Sequence, residues 1–327
     1  MSLLTLKDLT VSFNTDAGRI RAADRVSFDI RPGEMLGLVG ESGCGKTVTA
    51  QSLIRLLPMP PAGIDSGSAL FKGRDLLRLP IAELRRIRGR EISMIFQDPM
   101  TALSPLHRLG DQLSETLRLH QPLGRKAAWR LGEEWLAKVG IPDPRERMRS
   151  WPFQCSGGQR QRVMIAMALM NEPDLILADE PTTALDVTIR AQIFELMLAM
   201  KGRQTSILLI THDMGVVWEL CERVIVMYAS RIVEEGPVRA LFDNPLHPYT
   251  RGLLKSIPSA QRRGKRLEFI PGQVPPPAQY PKGCHFSDRC PHAFDRCRAE
   301  SPPLLNLPGD RRAACFLAKP APAQDQQ

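Results

Sequence analysis

The run Gly40-Glu-Ser-Gly-Cys-Gly-Lys46-Thr47 constrains this chain more than any other feature. It follows a short apolar stretch, MLGLVG at 35–40, and opens a periodic segment, Lys46 to Leu57, that Pro58, Pro60 and Pro61 close. The order predicted is strand, glycine-rich turn, helix. Glycines let the backbone curl so that its N–H groups face an anion. The helix that follows presents its positive end to the same point. In the pattern G-x-x-x-x-G-K-[ST], Gly40, Ser42, Gly43 and Gly45 shape the cradle and Lys46 brings a point charge to a terminal phosphate. The Thr47 hydroxyl is a ligand for Mg²⁺.

A second segment supplies the complementary chemistry. DLILADEP (174–181) is an apolar run that ends in two carboxylates, Asp179 and Glu180. At a strand end, Asp179 can hold Mg²⁺ through water, and Glu180 can orient and deprotonate an attacking water. Other apolar runs, EISMIFQD (91–98) and TSILLITHD (205–213), alternate with helical patterns. Unbroken apolar runs of this kind suit a parallel sheet covered on both faces, with ligands beyond the strands' carboxyl ends. The fold class expected is α/β: a P-loop NTPase with an antiparallel β subdomain at the start (1–31), a helical insertion at about 98–157 and a small cysteine-containing C-terminal extension. Helices are expected at Leu109–His120 and Lys126–Val139. VPPPA (274–278) reads as an extended spacer, and the last ten residues, AKPAPAQDQQ, read as disordered.

Composition sets the outer limits. The chain has 327 residues, 43% apolar and 24% charged, with a formal net charge of +9 and a pI near 9.4. An anionic partner or a solvated basic face both accommodate that charge. The start, MSLLTLKDLT, lacks a secretory leader pattern. The longest candidate for a membrane span, Val163–Met170, falls short of the roughly 18 residues required. A protein that is soluble, or attached to a membrane through partners, is expected.

The family narrows at Ser156-Gly157-Gly158-Gln159-Arg160-Gln161-Arg162. With the motifs above, this segment resembles the signature of the ATP-binding-cassette (ABC) ATPases. The resemblance covers about residues 1–240 and implies an ATPase domain of that extent. In that family, the signature of one subunit closes over ATP held by the phosphate loop of another. Ser156, Gly157, Gly158 and Gln159 would then contact nucleotide across a dimer. Gln97 takes the place of the glutamine that senses Mg²⁺ and the attacking water. Asp186 takes that of the D-loop aspartate, and His212 that of the switch histidine. Phe13, a core residue by pattern alone, would stack on adenine. Cys155 stands where leucine is usual and reads as a packing residue. Cys44 replaces a common serine or alanine, which suggests sensitivity of ATP binding to thiol reagents.

The tail sharpens the resemblance. LFDNPLHPYT (241–250), LLKSIP (253–258), PGQVPPP (271–277) and GCHFSDRCPHAFDRC (283–297) are similar to the peptide/nickel importer branch. Residues 241–327 would be the extension typical of that branch. The implied partners are two permease subunits, a substrate-binding protein and a second ATP-binding subunit, usually a related chain. The implied location is peripheral, on the cytoplasmic face of a bacterial inner membrane, with no nucleic acid expected. The insertion near 98–125 would dock a permease. Cys284, Cys290, Cys297 and Cys315 have intervening stretches of 5, 6 and 17 residues. Four thiolates can enclose a [4Fe–4S] cluster or a zinc ion. The branch implies the cluster, with zinc as the alternative and unligated thiols also open.

A soluble ABC protein acting on nucleic acid or ribosomes would suit the basic charge. That class usually carries two cassettes, coiled coils or zinc insertions between motifs. This chain has one motif set with short gaps. Nothing in it identifies the transported solute.

Overall fold

The unbroken apolar runs become strands with no exposed residue. Met35–Val39, Leu175–Asp179, Ser206–Ile210 and Arg223–Tyr228 are buried along their whole lengths. A strand covered on both faces has no wet side, so its sequence does not alternate. The computed structural model describes residues 2–16, 18–182, 185–201, 204–257 and 269–318. Among the described residues, no helix is long and apolar enough to cross a membrane. The chain divides into two compact units.

One unit comprises residues 31–34 and 79–209. Its strand Ile92–Ile95 runs parallel to Leu175–Asp179, with Ile92 opposite Leu175 and Ile95 opposite Ala178. Ser206–Ile210 neighbours the second of these strands. The helices Leu109–His120 and Arg125–Lys138 pack together in the insertion, as the periodicity predicts to within a residue. Leu109, Leu113 and Leu117 recur every four residues and are fully buried, so one helix face carries the contact. The helix Gly157–Leu169 starts at the SGGQ segment, and Val187–Lys201 follows the acidic strand end.

The other unit comprises residues 2–30, 35–78 and 210 onward. An antiparallel sheet orders its strands as Gly18–Ile30, Leu4–Thr15, Ala62–Phe71 and Arg74–Asp75. Met35–Val39 runs parallel to Arg223–Tyr228, and Arg231–Pro237 returns antiparallel. The helix Lys46–Leu53 is shorter than the sequence predicts. It ends at Leu53 because Arg55 takes a positive φ of 50°, well before the prolines.

The extension adds to this sheet instead of trailing from it. Arg311–Ala313 pairs with Arg231–Pro237, and Leu305–Leu307 pairs with Arg311–Ala313. Two buried acids hold it there. Glu234 accepts hydrogen bonds from the backbone N–H groups of Leu246 and His247, each at 2.8 Å, and from Arg311 at 2.9 Å. Glu235 pairs with Arg223 and Arg312. The supposed spacer forms a 3₁₀ turn, Pro277–Gln279, beside the strand Gly18–Ile30. Residues 319–327, nearly all of the tail expected to be disordered, lie outside the described residues.

Candidate functional site

The phosphate loop forms as the strand Met35–Val39 leaves the sheet. Gly40 has a φ of 150°, and a Cβ there would lie 2.2 Å from the Met227 carbonyl oxygen. Gly45 has a φ of 101°, and its Cβ would lie 2.1 Å from the Ala22 carbonyl oxygen. Both positions therefore require glycine on two counts, backbone angle and space. Ser42 and Gly43 are exposed at the loop's crest, and Thr47 is half-buried in the first helical turn. Gly45 offers the helix no side-chain cap, so the first-turn N–H groups are presented toward the loop.

Lys46 is buried, and its Nζ donates to the carbonyl oxygens of Gly40 at 2.7 Å and Glu41 at 3.0 Å. A buried ammonium held by two neutral carbonyls carries an uncompensated charge, which suits an arriving anion. Cys44 is fully buried beside it, with Sγ 3.6 Å from Lys46 Nζ. Burial pushes the Cys44 thiol up despite the nearby ammonium, so it stays protonated. This geometry argues against the expected sensitivity to thiol reagents.

In the same unit, His212 is exposed, directly after the strand Ser206–Ile210. Asp213 caps the following helix, accepting from the N–H groups of Gly215 at 2.9 Å and Val216 at 3.3 Å. That cap fixes the backbone from which His212 projects. Phe13 is half-buried on its strand, opposite Ile20 and Ala62.

The other unit carries the carboxylates. Asp179 is buried at the end of its strand, and Glu180 follows, half-buried, with a φ of 45°. A non-glycine residue in the left-handed region is strained, and such strain collects where a side chain must be aimed. Gln97, at the end of the parallel neighbour, donates from Nε2 to Glu180 Oε2 at 3.3 Å. Gln161, wholly buried in the SGGQ helix, donates to the Pro181 carbonyl at 2.5 Å. Sequence reading passed over that link, because a glutamine inside a helix gives no local signal.

Ser156 caps the SGGQ helix reciprocally. Its Oγ accepts from the Gln159 N–H at 3.3 Å, and Gln159 Oε1 accepts from the Ser156 N–H at 3.0 Å. Ser156 and Gly157 are exposed, and Gly158 is half-buried, so the helix N-terminus faces outward. Cys155 is buried, as a packing residue should be. Asp186 is exposed, and its Oδ1 accepts from the Ile189 N–H at 3.0 Å.

Cys284, Cys290, Cys297 and Cys315 line one apolar cavity together with Phe286 and His247. Burial, and then the nearness of Cys297, Cys315 and Cys290, pushes the Cys284 thiol up to about 11. Among the described residues, however, no group of three or more His, Cys, Asp or Glu side chains is arranged to hold a metal ion. The expected four-cysteine ligand shell is thus not drawn in around one point. The cysteines sit on separate segments, two flanking the turn Ser287–Arg289, one in the helix Asp295–Ala299 and one just past the strand Arg311–Ala313.

Residues 23–183 match the family described as "ABC transporter", and residues 233–297 match "Oligopeptide/dipeptide transporter, C-terminal region". The chain is 50% identical over 316 residues to the dipeptide transport ATP-binding protein DppD of Bacillus subtilis, covering 96% of this chain and 94% of that one. It is 48% identical over 316 residues to the oligopeptide transport ATP-binding protein OppD of Escherichia coli, covering 96% and 93%. Its backbone resembles the ATP-binding cassette MJ0796, solved as a post-hydrolysis dimer bound to ADP and Pi, with a TM-score of 0.66 and 27% identity. That match covers 72% of this chain and 99% of the cassette.

Proposed function

The chain belongs to the family of ATP-binding subunits of ABC transporters, and from that premise we propose that it hydrolyses ATP to power import of di- or oligopeptides through partner permeases. The observation that carries the reading is relatedness to peptide-transport ATP-binding subunits along 96% of the chain, extension included. The test is reconstitution with its permeases, second ATP-binding subunit and binding protein in vesicles. Peptide uptake should require ATP and stop with Glu180→Gln. ATP-driven uptake that ignores peptides altogether would refute the substrate class.

The division of labour is 1–240 for the motor and 241–327 for the extension. Lys46 and the loop N–H groups of Gly40, Ser42, Gly43 and Gly45 take the phosphates, and Phe13 stacks on the base. Thr47, Asp179 and Gln97 would hold Mg²⁺. Their hydroxyl, carboxylate and amide oxygens are the hard donors that ion takes, and it neutralises phosphate charge when bound. Glu180, steadied by Gln97, accepts a proton from the attacking water, and His212 contacts the terminal phosphate. Ser156, Gly157, Gly158 and Gln159, with Asp186, belong to the face that closes on a second cassette's nucleotide. The exposure of Ser156, Gly157 and Asp186 supports that role. The protein then sits peripherally on the cytoplasmic face of a bacterial inner membrane, with the insertion near 98–125 against a permease.

For the four cysteines the reading is a [4Fe–4S] cluster, with zinc as the alternative: Cys284, Cys290, Cys297 and Cys315 line one cavity, and four thiolates can enclose either group. In this position such a group would supply a structural cross-link among the segments of the extension.

A further inference from the structure

The phosphate loop is held by the extension as well as by its own strand and helix. Arg289 lies 248 positions from Glu41 and clasps it with both nitrogens. Nη1 donates to Oε2 at 2.7 Å, and Nη2 donates to Oε1 at 3.1 Å. The arginine side chain is only 6% exposed, against 31% for the glutamate. Its Nε donates to the Pro271 carbonyl at 2.9 Å, so the fork cannot swing away freely. Burial opposes the charge on Arg289, but the hydrogen bonds to Glu41 and Tyr228 more than offset it and hold the guanidinium protonated.

Glu41 is fixed at its backbone too. Its N–H donates to Tyr249 Oη at 2.9 Å, and its carbonyl accepts from Lys46 Nζ at 3.0 Å. Tyr228, Tyr249 and Phe286 form a cluster of rings with centroids 4.6–5.4 Å apart, which carries this bracing into the cysteine-bearing segment. On the loop's other flank, the Ser230 N–H donates to the Cys44 carbonyl at 3.1 Å, and Ser230 Oγ lies 3.3 Å from Tyr280 Oη.

A carboxylate in the first variable position of a phosphate cradle is a liability. Unpaired, it would repel the triphosphate that Lys46 attracts. A bidentate guanidinium both cancels that charge and fixes the direction of the side chain. We propose that Arg289 is a positioning residue of the ATP site, which sets the affinity for ATP by neutralising and orienting Glu41. The assignment rests on the nucleotide reading above.

The test compares ATP binding to the full-length wild type, Arg289→Ala, Arg289→Lys, Glu41→Gln and the Arg289→Ala/Glu41→Gln double variant. ATPase rates in the assembled transporter are measured alongside. Arg289→Ala is expected to weaken ATP binding by about tenfold and raise KM to match, with kcat within about twofold. Arg289→Lys keeps the charge without the fork and falls between the two. The double variant removes the repelling charge and recovers affinity to within about threefold of wild type. Unchanged affinity in Arg289→Ala overturns the proposal. So does a double variant as weak as Arg289→Ala, since the loss would then come from disturbed packing of the extension. A wild type that binds no ATP overturns the nucleotide reading itself, in an arm that involves no variant.

Discussion

Gln97 donates from Nε2 to Glu180 Oε2 at 3.3 Å, which joins the ends of two parallel strands that are far apart in sequence. Glu180 holds its side chain there at a φ of 45°. The base proposed above is thus aimed by both backbone strain and a hydrogen bond. Glu180→Gln is expected to lower ATP turnover by at least about 100-fold while ATP still binds. Wild-type turnover in that variant would remove Glu180 from the mechanism. Gln97→Ala, which frees the carboxylate without removing it, should cost less, about tenfold in kcat.

The loop glycines separate shape from charge. Gly45→Ala would place a methyl group 2.1 Å from the Ala22 carbonyl oxygen. It should abolish ATP binding, with helix content by circular dichroism retained. Gly43 also has a positive φ, 78°, but open space around it. Gly43→Ala is therefore expected to cost only about 1–2 kcal/mol in backbone strain and to leave weakened binding. Equal effects of the two variants would contradict the steric argument. Lys46→Ala should lose nucleotide binding, since it removes the buried ammonium along with its hydrogen bonds to the Gly40 and Glu41 carbonyls.

Cys44 is a thiol in an anion site that should nonetheless resist alkylation. It is fully buried and its pKa is raised. The attacking thiolate is scarce as well as hidden. Mass spectrometry after brief iodoacetamide treatment of the native protein should find Cys44 unmodified, and modified only after denaturation. Rapid labelling in the native state, blocked by ATP, would contradict this placement.

Protein purified without oxygen is expected to carry iron and acid-labile sulfide in equal amounts, with broad visible absorption. Cys290→Ser or Cys297→Ser should bleach it. Stoichiometric zinc, or colourless protein with free thiols, would rule out the cluster. Because Arg289 adjoins Cys290, chelating the metal should also weaken ATP binding in wild type more than in Arg289→Ala.

The motor was legible because its chemistry is local. Gly40 to Thr47 carries its own turn, cradle and helix start, and DLILADEP carries strand and carboxylates together. The periodicity of Leu109, Leu113 and Leu117 gave the insertion's helix within the same short range. Helix length after Lys46 was less legible. The prolines were the visible stop, but a left-handed residue at Arg55 acts sooner, and no residue type announces it.

The linear order of residues was enough to determine a glycine turn between strand and helix, a carboxylate strand end and the family to which they belong, since each rests on neighbours whose backbone angles and hydrogen bonds are short-range. Only the tertiary structure decided where the extension is anchored and what it touches. Glu234 and Glu235 look like surface acids in sequence and prove to be the buried anchors of the tail. Arg289 looks like one basic residue among many and proves to grip the phosphate loop. Burial and long-range pairing create those roles. Both depend on which distant segments the fold brings together, and no spacing along the chain records that.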